Sequence, residues 1–145
     1  MKILHLIITG VTGRVQTFNF PGQVALEQQR YSSCIRQEDG YCGIQWSATQ
    51  NLPAGQDNFA LSAAAAAIAV NGNALPNVGI PGSRFENYGG GTFGTAADTT
   101  SGTVVASGER FMLNFYSTAG DADVKGYDLT WQQLPCSGVG GLDID

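Results

Sequence analysis

One histidine, three cysteines and a charged fraction of only 13% leave this 145-residue chain poorly supplied for metal or nucleophilic chemistry. A hydrolytic triad needs a base beside a hydroxyl or thiol. His5 instead sits in the apolar stretch Ile3-Leu4-His5-Leu6-Ile7-Ile8 with no neighbouring acid, and is read as structural. Zinc sites recruit three or four His, Cys or carboxylate ligands, and His5 with the spaced Cys34, Cys42 and Cys136 is a meagre set. Basic residues are also scarce: the seven Lys and Arg never cluster into a stripe that could track phosphates, and the net charge is −5, so nucleic acid is not the expected partner. No run approaches the ~20 apolar residues that span a bilayer, the longest being Ala63 to Val70, so no membrane span is expected. The motif Asn-x-Ser/Thr is missing, so passage outside the cell would leave no N-glycan.

What the chain has is glycine, 20 residues of it, and short alternating apolar runs. Val15 to Phe20, Tyr41 to Ser47, Asn58 to Leu61, Arg110 to Phe115 and Tyr127 to Trp131 each read as a strand with one buried face. Turn-forming stretches at Thr9 to Gly13, Asn71-Gly72-Asn73 and Gly89-Gly90-Gly91 separate them at intervals typical of a sandwich, so residues 1–145 are expected to form one all-β domain. Met1 to Ile8 reads as an N-terminal strand, with a degraded secretory signal as the alternative. The Ala-rich segment Ser62 to Val70 stays open between a short helix, on propensity, and an extended segment in a tight place. Asp39-Gly40 supplies the positive φ angles of a two-residue hairpin turn, which sets Ile35 opposite Ile44. That register puts Tyr31, Ser33 and Ile35 on one buried face with Cys42, Ile44 and Trp46, and turns Cys34 the other way.

Four segments together resemble the CUB domain family, in the divergent form common in arthropod secreted proteins. They are Thr9 to Phe20, Tyr31 to Gln45, Ile80-Pro81-Gly82 with Arg84-Phe85, and Phe111 to Phe115 leading into Gly126 to Trp131 and Leu134-Pro135-Cys136. Cys34-Ile35-Arg36-x-Glu38-x-Gly40-Tyr41-Cys42-x-Ile44-Gln45 is the most specific part. The resemblance implies an antiparallel two-sheet jelly-roll β-sandwich, an extracellular location, and recognition or adhesion through edge loops that bind protein or glycan. It also implies a disulfide between Cys34 and Cys42, with Cys136 left unpaired. A tight Asp39-Gly40 hairpin does not place residues 34 and 42 opposite each other, so hairpin and disulfide are in conflict unless a bulge or longer loop intervenes. At the positions where calcium-binding members carry three carboxylates this chain has Ser62, Pro76 and Thr118. Asp121 and Asp123 are a partial substitute at most, and no metal or cofactor is expected.

A secreted, non-enzymatic recognition module is therefore the leading reading. Loops on a rigid scaffold are where binding sits, and the residues expected to meet a partner are Arg36, Glu38, Asp39 and Tyr41 from one loop, with Arg84, Phe85, Asn87 and Tyr88 from another. The first alternative is structural: self-assembly into a homo-oligomer or matrix through the apolar N-terminal edge strand and an intermolecular Cys136 bond. A second is a jelly-roll carbohydrate-active enzyme, whose paired carboxylates would come from Glu38, Glu86, Glu109 and Asp128. Gly89 to Gly94 satisfies G-x-G-x-x-G, but with no parallel strand before it and no helix after it the stretch is read as a loop.

Overall fold

Alternation of inward apolar and outward polar side chains builds this molecule from strands. The computed structural model describes residues 2–17, 29–50, 52, 58–61, 67–70, 77–85, 87–94, 102–108, 111–116 and 126–136, and for 2–5, 29, 31, 68 and 70 it describes the backbone. Along these residues run β1 (Lys2–Ile8), β2 (Thr12–Gln16), β3 (Gln29–Ile35), β4 (Tyr41–Ala48), β5 (Phe59–Ala60) and β6 (Ala67–Val70). Then follow β7 (Asn77–Gly79), β8 (Asn87–Gly90), β9 (Thr103–Ser107), β10 (Phe111–Tyr116) and β11 (Gly126–Pro135). No helix among the described residues is long and apolar enough to cross a membrane.

The strands form two sheets. One is six-stranded in the order β1-β3-β10-β7-β8-β6; the other is β2-β11-β4-β9, with β5 also paired to β11. All pairings are antiparallel except β1 with β3, which run parallel with Ile7 beside Cys34 and Ile8 beside Ile35. Period-2 alternation is clean where a strand has one wet face: Phe111, Leu113 and Phe115 are buried while Met112, Asn114 and Tyr116 are half-buried. Between the sheets lies an aromatic core. Trp46 and Trp131 stand opposite each other across β4 and β11, both fully buried, and Phe115 meets Tyr127 edge-on at 5.4 Å between ring centroids. Leu113 and Ile44 are likewise fully buried, each worth about 1.5–3 kcal/mol relative to exposure.

Three local expectations are corrected. The Asp39-Gly40 turn exists, with the Tyr41 N–H donating to the Glu38 carbonyl at 3.1 Å, but β3 and β4 do not pair across it. The chain instead crosses from one sheet to the other, and Ile35 lies opposite Phe111, not Ile44. Ser33, Ile35, Ile44 and Trp46 still share the core, because they face one another from opposing sheets. Gly89-Gly90 is not a turn: both residues belong to β8, where they pair with Ile68 and Ala67. In the open alanine-rich segment, Ala67–Val70 is strand β6 with Ala67 and Ala69 buried, which suits small side chains pressed against a covering layer. Residues 62–66 and the expected turn at 71–73 lie outside the described residues.

The cysteine pairing is also corrected. Cys42 is bonded to Cys136 with Cα atoms 4.5 Å apart, and Cys34 is free. Neither a Cys34–Cys42 bond nor an unpaired Cys136 is compatible with this register. Cys34 lies on the outer face of the six-stranded sheet beside Ile7 and Met112, whereas Cys42 is the second residue of β4, in the other sheet, next to the end of β11. With Cys136 occupied inside the chain, self-assembly through an intermolecular Cys136 bond loses its means.

Candidate functional site

A buried glutamine organises one end of the sandwich. Tyr127, Leu129, Trp131 and Gln133 occupy successive inward positions of β11, and Gln133 is 1% exposed, so its amide must find partners inside. It finds three in two loops. Its Nε2 donates to the carbonyls of Gly10 at 2.6 Å and Arg36 at 2.9 Å, while its Oε1 accepts from the Glu38 N–H at 3.0 Å. The backbone Gln133 N–H adds a bond to Val11 O at 2.7 Å. The Glu38 carboxylate closes the arrangement, accepting from Gly10 N–H at 3.3 Å and pairing with Arg36 at 3.5 Å. On the other flank, Cys136 N–H donates to Gly40 O at 3.0 Å beside the Cys42–Cys136 bond. The loop of residues 36–40 is thus held by three neighbours while Arg36, Gln37 and Asp39 stay exposed.

The second expected loop reaches the same end. Ser107 N–H donates to Gly82 O at 3.3 Å, and Ser107 pairs with Gly43, two residues beyond Tyr41. Within that loop the Tyr88 hydroxyl donates to Ser83 Oγ at 3.0 Å and accepts from the Phe85 N–H at 3.2 Å. Ser83 Oγ also lies 2.6 Å from Ile80 O and 2.8 Å from Phe85 O. Arg84 is exposed over the Phe85 ring at 5.1 Å, and Phe85 packs partly against the core.

Of the residues expected to meet a partner, Arg36, Glu38, Asp39, Tyr41, Arg84, Phe85 and Asn87 are therefore brought to one end, with Tyr41, Phe85 and Asn87 half-buried. Tyr88 is the exception: at 1% exposure it lies in the core, beside Phe93 and Phe85, and its part is to hold the loop rather than to touch a ligand. Gln133 was not among the expected residues. Its signal was present in the sequence, because it extends the inward phase of Tyr127, Leu129 and Trp131, and a polar residue in that phase calls for buried partners.

Asp128 is set apart from this end. Fully buried, it accepts from Arg14 Nε and Thr49 Oγ1, each at 2.6 Å, and from Gln16 Nε2 at 2.7 Å, and it forms an ion pair with Arg14 Nη2. Burial pushes its carboxyl upward, but the hydrogen bonds from Arg14, Thr49 and Gln16, with the adjacent positive charge, hold it below the usual 3.8. The Asp128 hydrogen bond in turn raises Arg14, against a smaller downward effect of burial. A carboxyl held ionised in this way is not a general acid. Glu38 bonds at Gln133, five residues along β11 from Asp128, or roughly 17 Å, well beyond the ~5–9.5 Å of a glycosidase pair. Glu86 and Glu109, Asp121 and Asp123, and the positions Ser62, Pro76 and Thr118 lie outside the described residues. Among the described residues no three His, Cys, Asp or Glu side chains gather as a metal site would require.

A family model described as the animal CUB domain matches residues 8–134. The chain belongs to that family. CUB domains are generally interaction modules of extracellular proteins and are typically non-enzymatic. Among solved structures, the CUB1-EGF-CUB2 domains of rat MASP-1 are similar at a TM-score of 0.55 and 11% identity, covering 90% of this chain and 42% of that one. The CUB1-EGF-CUB2 domain of human MASP-1/3 gives 0.48 and 13%, covering 88% and 41%. The rat structure supports the jelly-roll-like sandwich of this CUB domain and nothing finer, and the chain spans less than half the length of either neighbour. No curated protein matches it.

Proposed function

We propose that this CUB domain is a secreted, non-enzymatic recognition module that binds an extracellular protein through the end of the sandwich bearing Arg36, Glu38, Asp39 and Tyr41, with Arg84, Phe85 and Asn87 alongside. The supporting observation is the anchoring of the 36–40 loop by Gln133, Glu38 and Cys136, which leaves the Arg36 side chain 65% exposed on a rigid base. A fixed loop loses little conformational entropy when it binds, so the exposed Arg36 on it and the half-buried Tyr41 just after it can act as anchors. The disulfide supports an oxidising compartment, where such bonds persist.

The test is site-directed photocrosslinking in extracellular material from the natural source. A photoreactive residue at Asp39 is expected to capture a discrete protein, while one at Gln132, exposed on the five-stranded sheet, captures none. The double variant Arg36→Ala, Tyr41→Ala is expected to abolish the Asp39 adduct. Equal capture at both positions, or none at position 39, overturns this reading.

A further inference from the structure

Strands β1, β6, β2 and β9 stand at the ends of their sheets, and they differ in how open their edges are. At β9 the edge is already engaged: Ser107 N–H donates to Gly82 O at 3.3 Å, and Gly102 N–H, just before the strand, donates to Phe93 O at 2.6 Å. β2 is five residues long and carries Gly13 and Arg14, and β6 has four residues. β1 has seven, and after Lys2 it runs Ile3-Leu4-His5-Leu6-Ile7-Ile8 with no Asp, Glu, Lys, Arg, Gly or Pro to blunt it. No described strand pairs with its outer edge.

Which backbone groups face that edge follows from the pairing on the other side. Ile8 O accepts from Arg36 N–H at 2.8 Å, so Ile8 turns its N–H and C=O towards β3. Alternation along the strand gives Leu4 and Leu6 the same direction and turns the N–H and C=O of Ile3, His5 and Ile7 to the open side. The Ile7 side chain, 80% exposed, is the most exposed large apolar side chain among the described residues. The segment Ile3-Leu4-His5-Leu6-Ile7 reads the same in both directions. A two-fold axis through His5 therefore sets Ile3 opposite Ile7 of a second copy, Leu4 opposite Leu6 and His5 opposite His5. In that register the edge-facing residues fall opposite one another, so that each N–H meets a C=O. An unrelated strand would have to match this order; a second copy matches it by symmetry.

We propose that β1 is a self-association edge, along which two copies pair antiparallel over Ile3 to Ile7 and join their six-stranded sheets into one continuous sheet. The contact closes on itself, because each copy has one β1 and the axis uses both edges. Ile7 is exposed in one copy because the position facing it belongs to Ile3 of the other. Pairing along one strand is a small interface, of the weak and transient class. The loop end of each copy adjoins Ile8 through Arg36 N–H. Since the paired strands run in opposite directions, the two loop ends lie at opposite ends of the dimer and stay open, so either site can fail while the other stands.

The experiment is sedimentation equilibrium of the 145-residue chain up to millimolar concentration. The mass is expected to rise from one chain to two and to stop there. Ile7→Lys puts a charge on the edge, and Ile7→Pro removes a donor that β3 does not use. Both variants, checked for native circular dichroism, are expected to weaken the dimer about tenfold or more. Val105→Lys, at the exposed valine of β9, is expected to leave it unchanged. Disulfide trapping in a Cys34→Ser background reads the register: Ile3→Cys mixed with Ile7→Cys is expected to cross-link, and Ile7→Cys alone is not. A mass that stays at one chain, growth beyond two chains, an equal loss with Val105→Lys, or cross-linking of Ile7→Cys with itself overturns the proposal.

Discussion

The side-chain oxygen of Gln133 accepts the backbone N–H of Glu38 at 3.0 Å, across 95 residues of sequence. A core strand thereby fixes the geometry of an exposed loop. Because the same amide also serves Gly10 and Arg36, one side chain ties two crossovers of the sandwich to its central strand.

Replacing Gln133 with Leu keeps much of the volume and strands the Glu38 N–H together with two carbonyls. The expected loss is about 1–3 kcal/mol in urea unfolding, with faster amide hydrogen exchange at Glu38 and Tyr41. An unchanged exchange rate at these two amides would mean that the disulfide alone holds the loop.

Gly13 lies under the Trp131 indole, where an added Cβ would come within 2.5 Å of Cζ2. The ring is fully buried opposite Trp46 and has no room to move aside. Gly13→Ala is therefore expected to cost about 1–3 kcal/mol as overpacking, read as a lower denaturant midpoint with a red-shifted tryptophan emission.

Asp128 gives a pH dependence of definite sign. Its folded carboxyl titrates below 3.8, so the stability from its hydrogen bonds is complete above that value and is lost as pH falls through the lower folded value. Asp128→Asn is expected to be about 1–3 kcal/mol less stable than wild type at pH 7. The gap should narrow below pH 3.8; a gap independent of pH down to 2 would show that the charge is not what matters.

The Cys42–Cys136 bond spans 94 residues and restrains the unfolded chain strongly. Cys136→Ser is expected to cost about 2–5 kcal/mol, whereas Cys34→Ser should unfold as wild type does. Non-reducing peptide mapping should yield a linked Cys42–Cys136 peptide with Cys34 alone alkylated. Three free thiols in material from the natural source would remove the support for an oxidising compartment.

Much of the fold could be read from local pattern. The runs around Tyr41 to Ser47, Phe111 to Phe115 and Tyr127 to Trp131 fall in β4, β10 and β11, because a half-buried strand imposes period 2 on its own residues. The Cys34-to-Gln45 pattern pointed to the CUB family, and the loops carrying Arg36 and Arg84 were recognisable as loops. What each strand pairs with was not readable. Asp39-Gly40 specifies a turn but not whether the chain turns back along its own sheet or crosses to the facing one, and the burial of Ile35 and Ile44 is satisfied either way.

Sequence alone thus determined the strand character, the all-β class and the apolar faces, since these depend on neighbours one or two residues away. Only the tertiary structure decided the pairing of Cys42 with Cys136, the burial of Tyr88, and the parallel pairing of β1 with β3. Each of these depends on strand order and register between segments tens of residues apart, or on which side of a sheet a residue faces. A shift of one residue in register would reverse every one of those faces.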